Sequence, residues 1–165
     1  WVWRHIGEIA EYLAYRKTVS DEAKSMATSV SSAAIPPHVR RCVRSAHQEE
    51  ALAFCCAGSR LRMLQASDSV GRATQNERFF QLSRDMSTVR WSWSDYLLIE
   101  QISDVRYNPA KPLQFTIDYA HFTSVQNDFT LTLVCKKPRH ATRWVEALKL
   151  LLRAHAHGAP SPPPP

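Results

Sequence analysis

At 165 residues the chain has room for one domain with extensions. Its hydrophobic fraction of 44% and charged fraction of 22% exclude wholesale disorder, while only 4 Gly and 4 Cys exclude collagen-like and disulfide-scaffold classes. The net charge of +6 favours anionic partners; residues 1–50 hold 7 basic and 6 acidic side chains and residues 51–165 hold 14 and 9, scattered rather than in the blocks that mark a nucleic-acid tail.

The chain opens on Trp1, with no charged-then-apolar leader behind it, and reads as an excerpt from a longer protein. Trp3, Ile6, Ala10 and Leu13 recur at helical spacing and predict a helix over 3–17. Ser20-Asp21-Glu22 looks like another helix start. From about 25 to 37 the chain is small, polar and closed by Pro36-Pro37, a linker. A second helix is expected from about His38 to Phe54, with Val39, Val43 and Ala46 on one face and Arg40, Arg41 and Arg44 on a solvated one. No apolar run approaches the roughly 18 residues a membrane-spanning helix needs.

Beyond Gly58 the period changes to two. Val89, Trp91 and Trp93 alternate with Arg90, Ser92 and Ser94; Phe115, Ile117 and Tyr119 alternate with Thr116 and Asp118; Leu131, Leu133 and Cys135 alternate with Thr130, Thr132 and Val134. β-branched and aromatic residues at that period predict half-buried antiparallel strands. Seven are expected, at about 58–65, 77–83, 87–93, 96–100, 102–107, 113–120 and 128–136. Ser83-Arg84-Asp85 and Asn108-Pro109 read as turns, and His121 to Asp128 as a longer loop. Pro138 opens a last helix with the apolar stripe Ala141, Trp144, Val145, Leu148 and Leu151/Leu152; His155, His157 and Gly158 end it. Ala159 to Pro165 is an extended, polyproline-like spacer.

The chemical motifs are sparse. GxSxG, HExxH, GxxxxGK[ST] and GxGxxG do not occur, so no catalytic residue is nominated. Cys42, Cys55, Cys56 and Cys135 make no zinc spacing and read as reduced thiols, and His155 and His157, two apart, do not share a helix face, so neither metal nor cofactor is expected. Trp91 shares a face with Val89 and is assigned to the core. Trp93, at a strand end, is the more open of the pair, and a base-stacking platform or a membrane-insertion wedge is the functional alternative for both. Trp144 is assigned to the core.

Seven short antiparallel strands followed by one amphipathic helix, in this order, resemble a pleckstrin homology (PH) domain. The resemblance rests on Gly58-Ser59-Arg60-Leu61, Arg78-Phe79-Phe80-Gln81-Leu82-Ser83, Thr88-Val89-Arg90-Trp91, Ile102-Ser103-Asp104-Val105-Arg106, Phe115-Thr116-Ile117, Leu131-Thr132-Leu133-Val134-Cys135 and Ala141-Thr142-Arg143-Trp144-Val145-Glu146-Ala147-Leu148. It covers roughly residues 50–153 and is nearest to the PH domains of phospholipases C and of plant proteins with chromosome-condensation-regulator repeats. It implies an α+β, mainly β fold: a seven-stranded antiparallel barrel capped by a C-terminal helix. The division expected is a helical extension over 1–54, a PH domain over 55–154 and a Pro-rich linker over 155–165.

In that family, basic residues of the first two strands and their loop surround a phosphorylated headgroup, through charge-assisted hydrogen bonds. Arg78, directly before Phe79-Phe80, matches the basic position ending the second-strand motif, and Asn76 stands where another base is common. On the first strand the matching positions are Met63 and Gln65; Arg60 and Arg62 stand one residue out of register, which turns a strand side chain to the other face. Ser94 and Asp95 occupy positions where bases often help. The resemblance therefore nominates Arg60, Arg62, Arg72 and Arg78 as headgroup-binding residues. It implies a non-catalytic cytoplasmic domain, peripheral to the membrane, that recruits its parent to phosphoinositide or phosphatidate surfaces. The alternatives are a protein-interaction scaffold and the N-terminal regulatory domain of a phosphoinositide phospholipase C. The expected partner is an anionic phospholipid membrane or a protein, and not a nucleic acid.

Overall fold

A computed structural model describes residues 35–64, 76–120 and 128–158. The helix expected over 3–17, the helix start at Ser20, most of the Ser/Pro linker, Arg72, the loop after His121 and the proline tail lie outside the described residues.

Pro37 opens a single helical turn, α1 (Pro37–Arg40), and a longer helix, α2, spans Ala46–Ala57. One helix over 38–54 was the expectation, and Ser45 is why there are two. Its backbone is extended and its Oγ accepts the Gln48 N–H at 3.3 Å, while Gln48 Oε1 accepts the Arg44 N–H at 2.7 Å. A serine hydroxyl serves an orphan N–H better than it serves a helix interior, so the chain restarts there. This turns Ala46 to solvent and leaves Val39 buried and Val43 half-buried. Ala51, Leu52, Cys55 and Cys56, at i and i+4, form the buried face of α2.

Gly58 ends α2 at φ +79°. A Cβ there would meet the Phe79 ring at 2.5 Å and the Phe80 carbonyl oxygen at 2.9 Å. Gly58→Ala is expected to lower the unfolding free energy by about 2 kcal/mol, from left-handed strain and the backbone contact together. Urea denaturation reads this directly, and an unchanged midpoint would contradict it.

Seven strands follow: β1 (Ser59–Leu64), β2 (Asn76–Leu82), β3 (Thr88–Arg90), β4 (Tyr96–Leu98), β5 (Ile102–Tyr107), β6 (Gln114–Ala120) and β7 (Asp128–Val134). All pairs are antiparallel, in the order β4-β3-β2-β1-β7-β6-β5. That order is linear, so the sheet is open, with β4 and β5 as its edges, rather than a closed barrel. β3 and β4 are shorter than their alternation suggested. The Trp91 and Ser92 N–H groups both donate to the Asp95 carbonyl, at 3.1 and 3.3 Å, which closes a turn where strand was expected. A 3₁₀ turn, Ile99–Gln101, then ends β4, with Gln101 Oε1 accepting the Leu98 N–H at 3.0 Å.

The last helix, α3, spans Pro138–Gly158. Its stripe, Ala141, Trp144, Val145, Leu148 and Leu151, is buried together with Leu61, Phe80, Phe115, Ile117 and Leu133 of the sheet. Trp144 is 1% exposed, and its indole N–H donates to Ser59 Oγ at 2.8 Å. Helix α2 packs along α3. His47 Nε2 lies 2.9 Å from Glu146, Glu50 pairs with Arg143, and Phe54 sits 4.8 Å from the His140 ring and 5.2 Å from the Arg143 guanidinium carbon. Ile35, Val39 and the buried face of α2 thus belong to the same core as the sheet.

Candidate functional site

The register of β1 against β2 decides what the nominated arginines can do together. Arg60 lies opposite Phe79, Leu61 opposite Arg78, and Arg62 opposite Glu77. Directly opposed residues share a face. Leu61 is buried, so Arg78 projects on the core side and Arg60 and Arg62 on the outer side. Arg78 is nonetheless exposed. Arg60, Arg62 and Arg78 therefore lie on one two-stranded ribbon but not on one face of it, and Arg72 is outside the described residues.

Two charged neighbours on the outer face were not singled out in the sequence. Lys136, just past β7, places Nζ 2.8 Å from the Glu77 carboxylate. That hydrogen bond, and then the charges of Lys136, Arg60 and Arg62, hold the Glu77 carboxyl below the usual carboxylate range. The outer face thus gathers three cations around one anion: Arg60, Arg62 and Lys136 about Glu77. The signal that would find Lys136 is the β1–β7 pairing, Arg62 opposite Val134, which is a contact between residues far apart in sequence.

Strand direction fixes the rest of the geometry. β1 ends, β2 begins and β7 begins at one end of the sheet, while the β3–β4 hairpin pairs only with the last residues of β2, level with the start of β1. Trp91 stacks on Phe80, which lies opposite Ser59 at the start of β1, with ring centroids 5.3 Å apart, and is half-buried, in agreement with its core assignment. Trp93 is exposed, and so are Ser94 and Asp95 of the same turn.

The remaining titratable groups do not build a reactive centre. Burial pushes the Cys55 thiol well up and the Cys56 and Cys135 thiols up to about 12, so all three stay protonated and unreactive. Among the described residues no three His, Cys, Asp or Glu side chains converge on a point where a metal could sit. No helix there is long and apolar enough to cross a membrane.

No family model matches the sequence, and no curated protein matches it either. Solved structures do. The inner membrane complex sub-compartment protein 3 of Toxoplasma gondii aligns at a TM-score of 0.52 and 12% identity, over 69% of this chain and 89% of that one. PLC21 from S. officinalis aligns at 0.51 and 12% identity over 60% of this chain, which spans only 16% of that protein. The N-terminal PH domain of human ARAP2 aligns at 0.46 and 15% identity, over 66% of this chain and 88% of that one. Seven antiparallel strands in one open sheet, closed off by a C-terminal helix, are the pleckstrin homology fold.

Proposed function

We propose that this chain, with its pleckstrin homology fold, is a non-catalytic module that holds its parent protein against anionic phospholipid membranes, as a peripheral and not a spanning element. The observation that supports this reading is the placement of Arg60, Arg62 and Lys136 on one face of the β1–β2 ribbon and of Arg78 on the other. A pocket that encloses one headgroup draws its donors from one face. A membrane is a plane of many headgroups, and a ribbon meeting it end-on offers both faces at once.

The magnitudes agree with transient docking. Each basic residue near an anionic leaflet contributes about 1 kcal/mol within a Debye length of about 8 Å. Four cations less Glu77 give about 3 kcal/mol, short of even a millimolar site by this term alone. Such binding is weak, salt-sensitive and unselective among anionic lipids. A protein partner is the second reading, favoured by β5, an edge strand beside an open cleft of about 510 Å³ that Asp104 and Tyr107 line with Val145, Lys149 and Leu152 of α3.

Cosedimentation of the full chain with phosphatidylcholine vesicles, with and without phosphatidylserine, at two ionic strengths tests the first reading. Pelleting is expected to need phosphatidylserine, to fall with salt, and to weaken about fivefold for each arginine neutralised, whether Arg60→Gln, Arg62→Gln or Arg78→Gln. Binding indifferent to salt and to all three substitutions would overturn it. No pelleting even at low salt would leave the protein-partner reading.

A further inference from the structure

The first turn of α3 is charged against its own helix. The N–H groups at a helix N-terminus form the positive end of its dipole, so acidic residues stabilise that turn and basic ones destabilise it. Here Lys136 and Lys137 run into Pro138, Arg139 follows, and the first turn holds no acidic residue. Glu146, about two turns on, is the first carboxylate of α3. Burial first, and then the charges of Arg139, Lys137 and Arg143, hold the His140 imidazole below the usual histidine range.

Local stability gives no reason for this placement. Arg143 is held by Glu50 and lies over the Phe54 ring, and Lys136 is held by Glu77. Lys137 and Arg139 are exposed and have no ion-pair partner among the described residues. Where a sequence departs from a local rule without a compensating contact, function is the expected reason.

The β7–α3 junction joins these cations to those of the ribbon. Val134, the last residue of β7, lies opposite Arg62, and Lys136, two residues further, reaches across to Glu77. The Cys135 N–H donates to the Leu113 carbonyl at 2.7 Å, which sets the β5–β6 turn, with its exposed Lys111, beside the same junction. A basic strip thus runs from Arg60 and Arg62 on the outer face, through Lys136, to Lys137, Arg139 and Lys111 at the end of the sheet where β1 starts and β7 stops. Glu77 is the carboxylate that opposes it.

We infer that Lys137 and Arg139, at the entry of α3, belong to the surface that contacts an anionic phospholipid bilayer. This contact rests on the membrane reading above, extends it beyond the β1–β2 ribbon, and names the end of the sheet that meets the lipid. Continuity with the ribbon cations gives both the same partner. A plane of headgroups can meet the outer face and the adjoining sheet end together, and each further cation near it strengthens binding about fivefold.

Vesicle cosedimentation of the full chain carrying Lys137→Gln and Arg139→Gln together, beside thermal unfolding followed by circular dichroism, tests this contact. Binding to phosphatidylserine–phosphatidylcholine vesicles at low salt should weaken about 25-fold. The melting temperature should rise by about 2–4 °C, because two cations leave the positive end of a helix. Arg153→Gln, about four turns along α3, removes the same charge well beyond a Debye length and should leave vesicle binding within about twofold. Unchanged pelleting of the double variant, with binding still weakened by Arg60→Gln, would overturn the inference and leave the membrane reading standing. Weaker binding with a lowered melting temperature would place the two residues in the fold, and an equal loss in Arg153→Gln would mean that only net charge is read; either result overturns it. So would vesicle binding kept by the double variant while capture of polyglutamate is lost, the mark of an acidic protein partner. No pelleting of the unaltered chain at low salt would remove the reading and the inference together.

Discussion

Trp144→Ala is expected to lower the unfolding free energy by about 3–5 kcal/mol, which for a domain of ordinary stability approaches loss of the folded state. The indole is among the largest fully buried side chains of the core, and it is held at both ends. Its rings pack where α3 crosses the open sheet, and its N–H satisfies Ser59 at the first residue of β1. Removing it leaves a cavity that a helix and a sheet cannot easily collapse to fill, and strands a hydroxyl at the junction of α2 and β1. Urea unfolding followed by circular dichroism measures the loss. A change under 1 kcal/mol would mean that the helix does not close this core.

The second large effect concerns α2. Leu52 is fully buried against the same core, between α2 and the rest of the domain. Leu52→Asp removes its apolar burial and places a carboxylate where the described core holds no charged residue. The expected cost exceeds about 5 kcal/mol, enough to abolish the native fold, while Leu52→Ala should cost about 2–5 kcal/mol and remain measurable. Native circular dichroism with an unchanged melting temperature in Leu52→Asp would mean that α2 is a detachable cover. The ion pairs of His47 with Glu146 and Glu50 with Arg143 are not expected to compensate, because exposed pairs contribute little.

The strands were legible because period two survives averaging over a whole element. β5 falls on Ile102–Tyr107 as expected, and β1, β2 and β6 lie within a residue or so of expectation. The closing helix was legible from Pro138 and the Trp144 stripe. What failed was local competition. Ser45 could have been a helix-interior serine or a cap, and periodicity alone does not choose between them. The alternation through Trp91 and Trp93 ran on past the point where the Asp95 carbonyl captures two N–H groups. For the candidate site, the one-residue offset from the family's first-strand positions was enough to turn Arg60 and Arg62 from the expected site, and the register sets them on the face opposite Arg78. The partnership of Glu77 with Lys136 was not legible, because it joins the ends of strands brought together only by the sheet order.

Competition between a soluble headgroup and a membrane bears most directly on the central claim, that cations on both faces of one ribbon address a plane and not a pocket. Full chain bound to phosphatidylserine vesicles at low salt is titrated with a soluble inositol polyphosphate, and the bound fraction is followed by sedimentation. The account predicts displacement only by general screening, matched by inorganic phosphate at equal ionic strength. Stoichiometric displacement at low concentration, lost in Arg78→Gln and untouched by Arg60→Gln with Arg62→Gln, would contradict it and assign the chain an enclosed headgroup site on a single face.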